Sequence, residues 1–247
     1  MASASTKTAL SVGDVSKLFG GLVAVDHVSF ELAENEVLGL IGPNGSGKTT
    51  MLNLISGALK LSSGQIRLYD DEISALPANQ IAIKGIARTF QIVRMLPEMT
   101  VLDNVAAGGV FGHARRWGAE LEDYAMGLLR RVGLDRGADT PVTALTYIDQ
   151  KRVELARALA SDPKVLLLDE WLAGLNPTEL KTGIALVEQL RREGRTIVIV
   201  EHVMDAIRSL CDRCVVMNSG RKIAEGTARE VLADHEVIRA YLGDDDA

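Results

Sequence analysis

The sequence predicts an α/β fold with a mostly parallel core sheet, an antiparallel β portion near its start and an inserted run of helices. Three observations lead there. The wholly apolar runs Val37–Ile41, Val165–Asp169 (acidic only at its end) and Ile197–Val200 read as strands buried on both faces, with helical patterns between them. Residues 10–15 and 23–32 instead alternate apolar and polar positions, as half-exposed antiparallel strands do. Between Gln91 and about Ala160, helix signals follow one another without a strand.

In chain order, a polar leader of about eight residues precedes the two alternating strands, which Phe19, Gly20 and Gly21 separate. Ile66 and Leu68 alternate in the same way before a turn at Asp70 and Asp71, and add a strand to that sheet. Residues 77–84 form a short helix with proline at its start and Gly85 past its end, followed by a strand over 86–90. Thr100 and Asp103 make a capping box, and a longer helical pattern runs over about 117–132. Val153, Ala156, Leu159 and Ala160 recur at helical spacing in 149–160. Asn176, Pro177 and Glu179 open a helix to about Arg192 as N-cap, first residue and third-position acid. A hairpin over 214–224 turns at Ser219 and Gly220; Thr227 then opens a last helical stretch that includes Ala240, Tyr241 and Leu242, before the acidic end Asp244, Asp245 and Asp246.

The chain's 247 residues, 47% hydrophobic, suffice for one sizeable core, so a single domain over 8–243 is expected. Its β-rich core falls at about 8–91 and 161–226, its helical subdomain at about 92–160 and a helical tail at 227–243. A net charge of −6 gives no basic footprint, which argues against nucleic acid as a partner. No apolar run approaches the roughly 18 residues of a membrane span, and the N-terminus lacks a signal peptide's apolar centre, so a cytosolic chain is expected. Cys211 and Cys214 form a lone C-x₂-C, half a zinc site at most, and read as small buried thiols.

Chemistry concentrates where strands end. Gly42, Pro43, Asn44, Gly45, Ser46, Gly47, Lys48 and Thr49 satisfy G-x-x-x-x-G-K-[ST] between an apolar strand and a helix over 50–57. The glycines let backbone N–H groups turn toward an anion, and the helix adds the positive end of its dipole. Lys48 would reach the β- and γ-phosphates and the Thr49 hydroxyl a Mg²⁺ ion, the arrangement of a RecA-like P-loop NTPase. Gln91, Asp169, Glu170 and His202 also fall at strand C-termini, where such folds gather ligands. Asp169 suits a Mg²⁺ carboxylate and Glu170 a group that polarises an attacking water.

With these residues in place, the chain resembles the ATP-binding subunits of ABC transporters over nearly its whole length. The matches are the glycine-rich loop as Walker A, Gln91 as the Q-loop, residues 145–149 as the signature segment, 165–170 as Walker B, 173–176 as the D-loop and His202 as the switch histidine. Arg88-Thr89-Phe90-Gln91, Met99 to Asn104, Ala173 to Glu179 and the ending Ala240-Tyr241-Leu242-Gly243 look like the branched-chain amino-acid uptake branch.

The resemblance implies ATP and Mg²⁺ as ligands, bound by the Walker A residues with Thr50, and by Asp169 and Gln91 for the metal. Phe19 would stack on adenine, with a core phenylalanine as the plainer reading. Glu170 would be the general base and His202 would hold the γ-phosphate. Two such chains, identical or paralogous, would face head to tail, so that Thr146 of one addresses the ATP of the other. The dimer would drive permease subunits from the inner face of the plasma membrane, contacting them around Gln91 and the segment with Phe111, His113, Arg115, Arg116 and Trp117. The function implied is import of amino acids or related small polar solutes. Alternatives are a weakly hydrolysing ATP-dependent clamp and the ATPase of a lipid or lipopolysaccharide exporter. Two departures stand out. Ile148 and Asp149 replace the glycine and glutamine that end the usual signature, so that Asp149 either turns its charge to a phosphate or caps its own helix. Trp171 and Leu172 stand where the family has proline and a small residue, so that Trp171 either alters the water's surroundings at Glu170 or simply repacks.

Overall fold

A computed structural model describes residues 7–242; most of the polar leader, Gly243 and the terminal acidic run lie outside the described residues. The antiparallel portion begins with β1 (Thr8–Phe19) and β2 (Leu22–Ala33), longer than the alternating cores read from sequence because the hairpin pairs to its tip, Phe19 opposite Leu22. The chain then enters the centre of the molecule as β3 (Val37–Ile41), with all five residues buried, and leaves it as α1 (Lys48–Ile55). Strands β4 (Ser63–Leu68) and β5 (Asp71–Glu72) complete a four-stranded sheet in the order β2-β1-β4-β5. Helix α2 (Ala78–Lys84) follows, with Pro77 as its N-cap rather than its first residue, and then β6 (Ile86–Arg88). That strand is two residues shorter than expected, although Thr89 N still donates to Leu167 O at 2.9 Å.

Three helices come next: α3 (Val101–Phe111), α4 (Gly118–Arg131) and α5 (Tyr147–Ala160). The capping box at Thr100 and Asp103 is formed. Helix α4 starts after Trp117, whose extended backbone makes it the cap. Helix α5 starts two residues earlier than its apolar spacing indicated, because Thr146 caps it and Asp149 is its third residue.

Next come β7 (Val165–Asp169), α6 (Pro177–Arg192), β8 (Ile197–Val200), α7 (Met204–Leu210) and the hairpin β9 (Arg213–Asn218) and β10 (Arg221–Gly226). Helix α7 went unread in the sequence: it is seven residues long and Val203 gives it no side-chain cap. The last helical stretch is two helices, α8 (Ala228–Val231) and α9 (His235–Leu242), the first opened by the Thr227–Glu230 capping box.

The second sheet runs β10-β9-β3-β8-β7-β6, parallel except for β10. Successive residues of its central strands enter different cores. Leu38, Leu40, Leu167, Val198 and Val200 pack with α1 and the antiparallel sheet; Val37, Ile41, Leu166, Leu168, Ile197 and Ile199 pack with α3–α7. Burial on both faces is why these strands read as unbroken apolar runs. Gly39 interrupts β3 where Cys211 and Cys214 lie, since a Cβ there would meet their Sγ atoms at 2.9 and 3.0 Å. Both thiols are free and buried, as expected.

Buried polar groups fasten the loops. Asn104 is 0% exposed; its Oδ1 accepts from Leu96 N at 2.9 Å, and its Nδ2 donates to Leu96 O at 3.0 Å and Thr100 O at 2.9 Å. Asn104→Ala leaves those groups unpaired and should lower stability by about 2–3 kcal/mol in urea unfolding.

Glu201, just past β8, accepts from Leu172 N at 2.7 Å through Oε1, while Oε2 is buried without a partner. Burial, with the charge of Glu170 nearby, pushes its carboxyl up to about 7 from 4.5, against the pull of the Leu172 N–H and Lys151. The folded state therefore holds this proton more tightly than the unfolded chain does. That contribution is full below the ordinary carboxyl range and is lost as pH rises through about 7. Glu201→Gln keeps an acceptor for Leu172 N. Relative to this variant, the unmodified chain should lose on the order of 2 kcal/mol in urea unfolding between about pH 5 and pH 8.

Candidate nucleotide site

The glycine-rich loop joins β3, the strand between β9 and β8, to α1. Two of its glycines are required by space and by backbone conformation. Gly42 has φ 145, and a Cβ on it would lie 2.0 Å from Met217 O; Gly47 has φ 102 and would meet Ala24 O at 2.6 Å. The loop is thus pressed against β9 and β2. Gly220 N, in the β9–β10 turn, donates to Ser46 O at 3.0 Å and holds it there. The Lys48 ammonium lies across the loop, donating to Gly42 O and Pro43 O at 2.8 Å and to Ser46 Oγ at 3.3 Å. Burial lowers the Lys48 pKa, and the carboxylates of Glu170 and Asp169 oppose that shift.

A cleft of about 930 Å³ opens over the loop. Of the residues singled out from the sequence, it is lined by Phe19, Asn44, Gly45, Ser46, Gly47, Lys48, Thr49, Thr50, Gln91, Glu170 and His202. Gly42 and Pro43 lie behind its wall and act through their carbonyls. Phe19 is 44% exposed, which sets aside the core reading; the Lys17 ammonium sits 4.9 Å from the centre of its ring. Leu22, Val23, Ala24, Ser219 and Gly220 also line the cleft and were not singled out. The signal for two of them was the turn at Ser219 and Gly220, but that it packs on the loop is a long-range contact.

Glu170 follows β7 directly, with the unusual φ of 47 for a residue bearing a side chain. Its carboxylate is held from two sides: Gln91 Nε2 donates to Oε2 at 2.6 Å, and His202 Nε2 lies 2.8 Å from Oε1. Asp169, one residue earlier, is 1% exposed. Its Oδ2 accepts from Arg88 Nη2 at 2.6 Å, and Arg88 Nη1 in turn donates to Asn53 Oδ1 at 2.7 Å on α1. Arg88 was read from sequence as family likeness alone; its role as partner of Asp169 emerges only from the pairing of β6 with β7. Asp169 Oδ1 is buried with no partner. An orphaned carboxylate oxygen, with the Thr49 hydroxyl at the cleft, fits Mg²⁺, which takes one or two protein ligands and completes its shell with phosphate and water.

Thr146 is not in this cleft. It caps α5, accepting from Asp149 N at 3.3 Å and donating to Asp149 Oδ2 at 2.8 Å, while Arg152 Nη1 donates to Asp149 Oδ1 at 3.0 Å. The charge of Asp149 is therefore turned toward its own helix, as that helix's third residue. Trp171 is 1% exposed, lies outside the cleft lining and donates from Nε1 to Lys151 O at 3.1 Å; it has repacked.

No helix among the described residues is long and apolar enough to cross a membrane. Residues 25–173 match the family model described as ABC transporter, and residues 221–247 match that described as branched-chain amino acid ATP-binding cassette transporter. The chain is 41% identical to the high-affinity branched-chain amino acid transport ATP-binding protein LivG of Salmonella typhimurium, over 95% of this chain and 98% of that one. It is 35% identical to the lipopolysaccharide export system ATP-binding protein LptB of Escherichia coli, over 96% and 98%. Among solved structures, the ADP conformation of the cassette MJ1267 superposes with a TM-score of 0.87 at 32% identity, covering 97% of this chain and all of that one. A dimeric post-hydrolysis state of the cassette MJ0796 with ADP and phosphate gives 0.81 at 26% identity, over 89% and 99%. The loop, the cleft and these likenesses agree: the chain belongs to the ABC transporter family, as one of its ATP-binding ATPase cassettes.

Proposed function

We propose that this cassette, one domain over residues 8–243 with its helical subdomain at about 92–160, drives uptake of branched-chain amino acids or related small polar solutes. The observation that carries the uptake reading is the match of residues 221–247 to the branched-chain cassette model, on top of 41% identity to LivG. It works as a head-to-tail dimer with itself or a paralogous subunit, bound to permease subunits at the inner face of the plasma membrane. The dimeric state of MJ0796 supports that assembly.

Each residue has a task set by its position. Backbone N–H groups of residues 44–47 and the Lys48 ammonium take the phosphates, with Thr50 beside them and Gly42 and Pro43 holding Lys48 through their carbonyls, and Phe19 offers its free ring face to adenine. Thr49, Asp169 and Gln91 would hold Mg²⁺, which would supply charge neutralisation at the phosphates when bound. Glu170 takes a proton from the attacking water, and His202 holds the γ-phosphate; the contacts of Gln91 and His202 with Glu170 fix its carboxylate beforehand. Thr146 reaches the partner's ATP.

A groove of about 340 Å³ between α2, α3 and α5, lined by Ala82, Phe90, Ala107, Phe111 and Arg157, receives the permease. Phe111 in its wall is 74% exposed, and Trp117, the cap of α4, is 64% exposed. His113 and Arg116 have partners within the chain, Ile83 O at 2.9 Å and the Tyr124 ring at 3.9 Å, while Arg115 is exposed and Arg157 lines the groove, so the docking surface combines apolar and basic groups.

One observation favours a second reading, a nucleotide clamp of low turnover: the Thr146 hydroxyl is already engaged with Asp149. Glu170→Gln tests between them. Uptake-type hydrolysis requires turnover per chain to rise with protein concentration, and the variant to lose about 100-fold or more in kcat while still binding ATP. A clamp would show no difference between the two proteins. Phe111→Asp, on an exposed side chain, should leave turnover of the isolated cassette within about twofold and abolish the stimulation given by reconstituted permease; unaltered stimulation would move the docking surface elsewhere.

A further inference from the structure

Lys151 is a buried lysine on α5, 1% exposed, with no task in the reaction just described. Its three N–H donors go to three backbone carbonyls: Ala173 O at 2.8 Å, Trp171 O at 2.9 Å and Glu170 O at 3.3 Å. The contact is reciprocal, since Trp171 Nε1 donates to Lys151 O at 3.1 Å. Burial lowers the ammonium's pKa, and the charges of Glu201, Glu154 and Glu170 oppose that shift. A desolvated cation is costly, and a solvated lysine at this position would avoid the cost entirely.

The segment it grips is the turn after β7, where Glu170 is held at its left-handed φ. Glu201 holds the same turn from the β8 side through Leu172 N. Helix α6 makes room for the indole with Gly183, where a Cβ would stand 3.2 Å from Trp171 Cζ3. Lys151 is five residues past Thr146, at the end of α5 that faces the partner's ATP in the proposed dimer. Glu170 serves the chain's own ATP. One side chain therefore ties the two sites together.

We propose that Lys151 is a positioning residue that couples the two ATP sites of the dimer, by fastening helix α5, whose N-terminus addresses one site, to the backbone of Glu170 in the other. Displacement of α5 toward the partner's γ-phosphate then moves Glu170 with it. The proposal rests on the head-to-tail reading above.

The test is ATP hydrolysis by the full-length chain, Lys151→Met and Lys151→Gln against ATP concentration, with ATP-driven dimerisation followed in a Glu170→Gln background. Lys151→Met should lower kcat about tenfold or more, bring the Hill coefficient toward one and leave KM within about twofold. Lys151→Gln keeps an N–H donor and should recover part of both quantities. The chain carrying both Lys151→Met and Glu170→Gln should still dimerise on ATP. A kcat within about twofold of the unmodified chain, an unchanged Hill coefficient, or loss of that dimer overturns the proposal. If Lys151→Met does not fold, Trp171→Phe removes the indole N–H together with part of the ring and leaves the Lys151 ammonium in place: a reduced Hill coefficient at unchanged KM supports the coupling, and an unchanged one overturns it. An unmodified chain that neither dimerises on ATP nor turns over cooperatively would remove the head-to-tail reading itself, and the coupling with it.

Discussion

Three adjacent parallel strands, β6, β7 and β8, deliver Gln91, Glu170 and His202 at or just beyond their C-terminal ends, and a fourth, β3, delivers the phosphate loop. Register makes this convergence possible: Arg88 stands opposite Leu167, and Asp169 opposite Val200. A slip of one residue in β7 would send Leu166 and Leu168 into the wrong core and turn Asp169 away from Arg88. The apolar demand of two cores, one on each face of the sheet, thus fixes where the Glu170 carboxylate stands relative to the loop. Function at the strand ends depends on burial along the strands.

The back of the site is polar and closely fastened. Asp169 is paired with Arg88, which also bonds Asn53 on the loop's own helix, so the Asp169 carboxylate and α1 share one guanidinium. Glu154, 1% exposed on α5, accepts from Phe90 N at 3.3 Å and Arg94 N at 3.0 Å and fixes the segment that carries Gln91. Lys151 and Glu201 grip the turn after Glu170 from opposite sides. Each of these groups is expensive to bury and has at least one partner, although Asp169 Oδ1 and Glu201 Oε2 have none.

Two of the departures from the family's usual motifs, Asp149 and Trp171, have partners within the chain. Asp149 is balanced by Arg152 and by the Thr146 hydroxyl, at the start of a helix whose dipole favours an acid there. Trp171 is accommodated by Gly183 and by the Lys151 carbonyl that takes its N–H, so the indole leaves the cleft unaltered. Asp149 is matched by residues three positions away, and Trp171 by residues 12 and 20 positions away.

By itself the sequence determined the elements whose physics is local. The apolar runs of β3, β7 and β8, the capping boxes at Thr100 and Asn176, and the spacing of the glycine-rich loop each depend on residues a few positions apart. Family and fold were legible for the same reason. Helix α7 and the break between α8 and α9 were not, because tertiary packing rather than propensity stabilises short helices; the start of α5 was missed although its cap at Thr146 is local. Only the tertiary structure decided that Phe19 stands at a cleft and not in the core, that Arg88 faces Asp169, and that Lys151 grips the turn behind Glu170. Arg88 and Asp169 are 81 positions apart and Lys151 and Glu170 are 19, and such pairings are set by strand order, register and burial, none of which has a local signature in the chain.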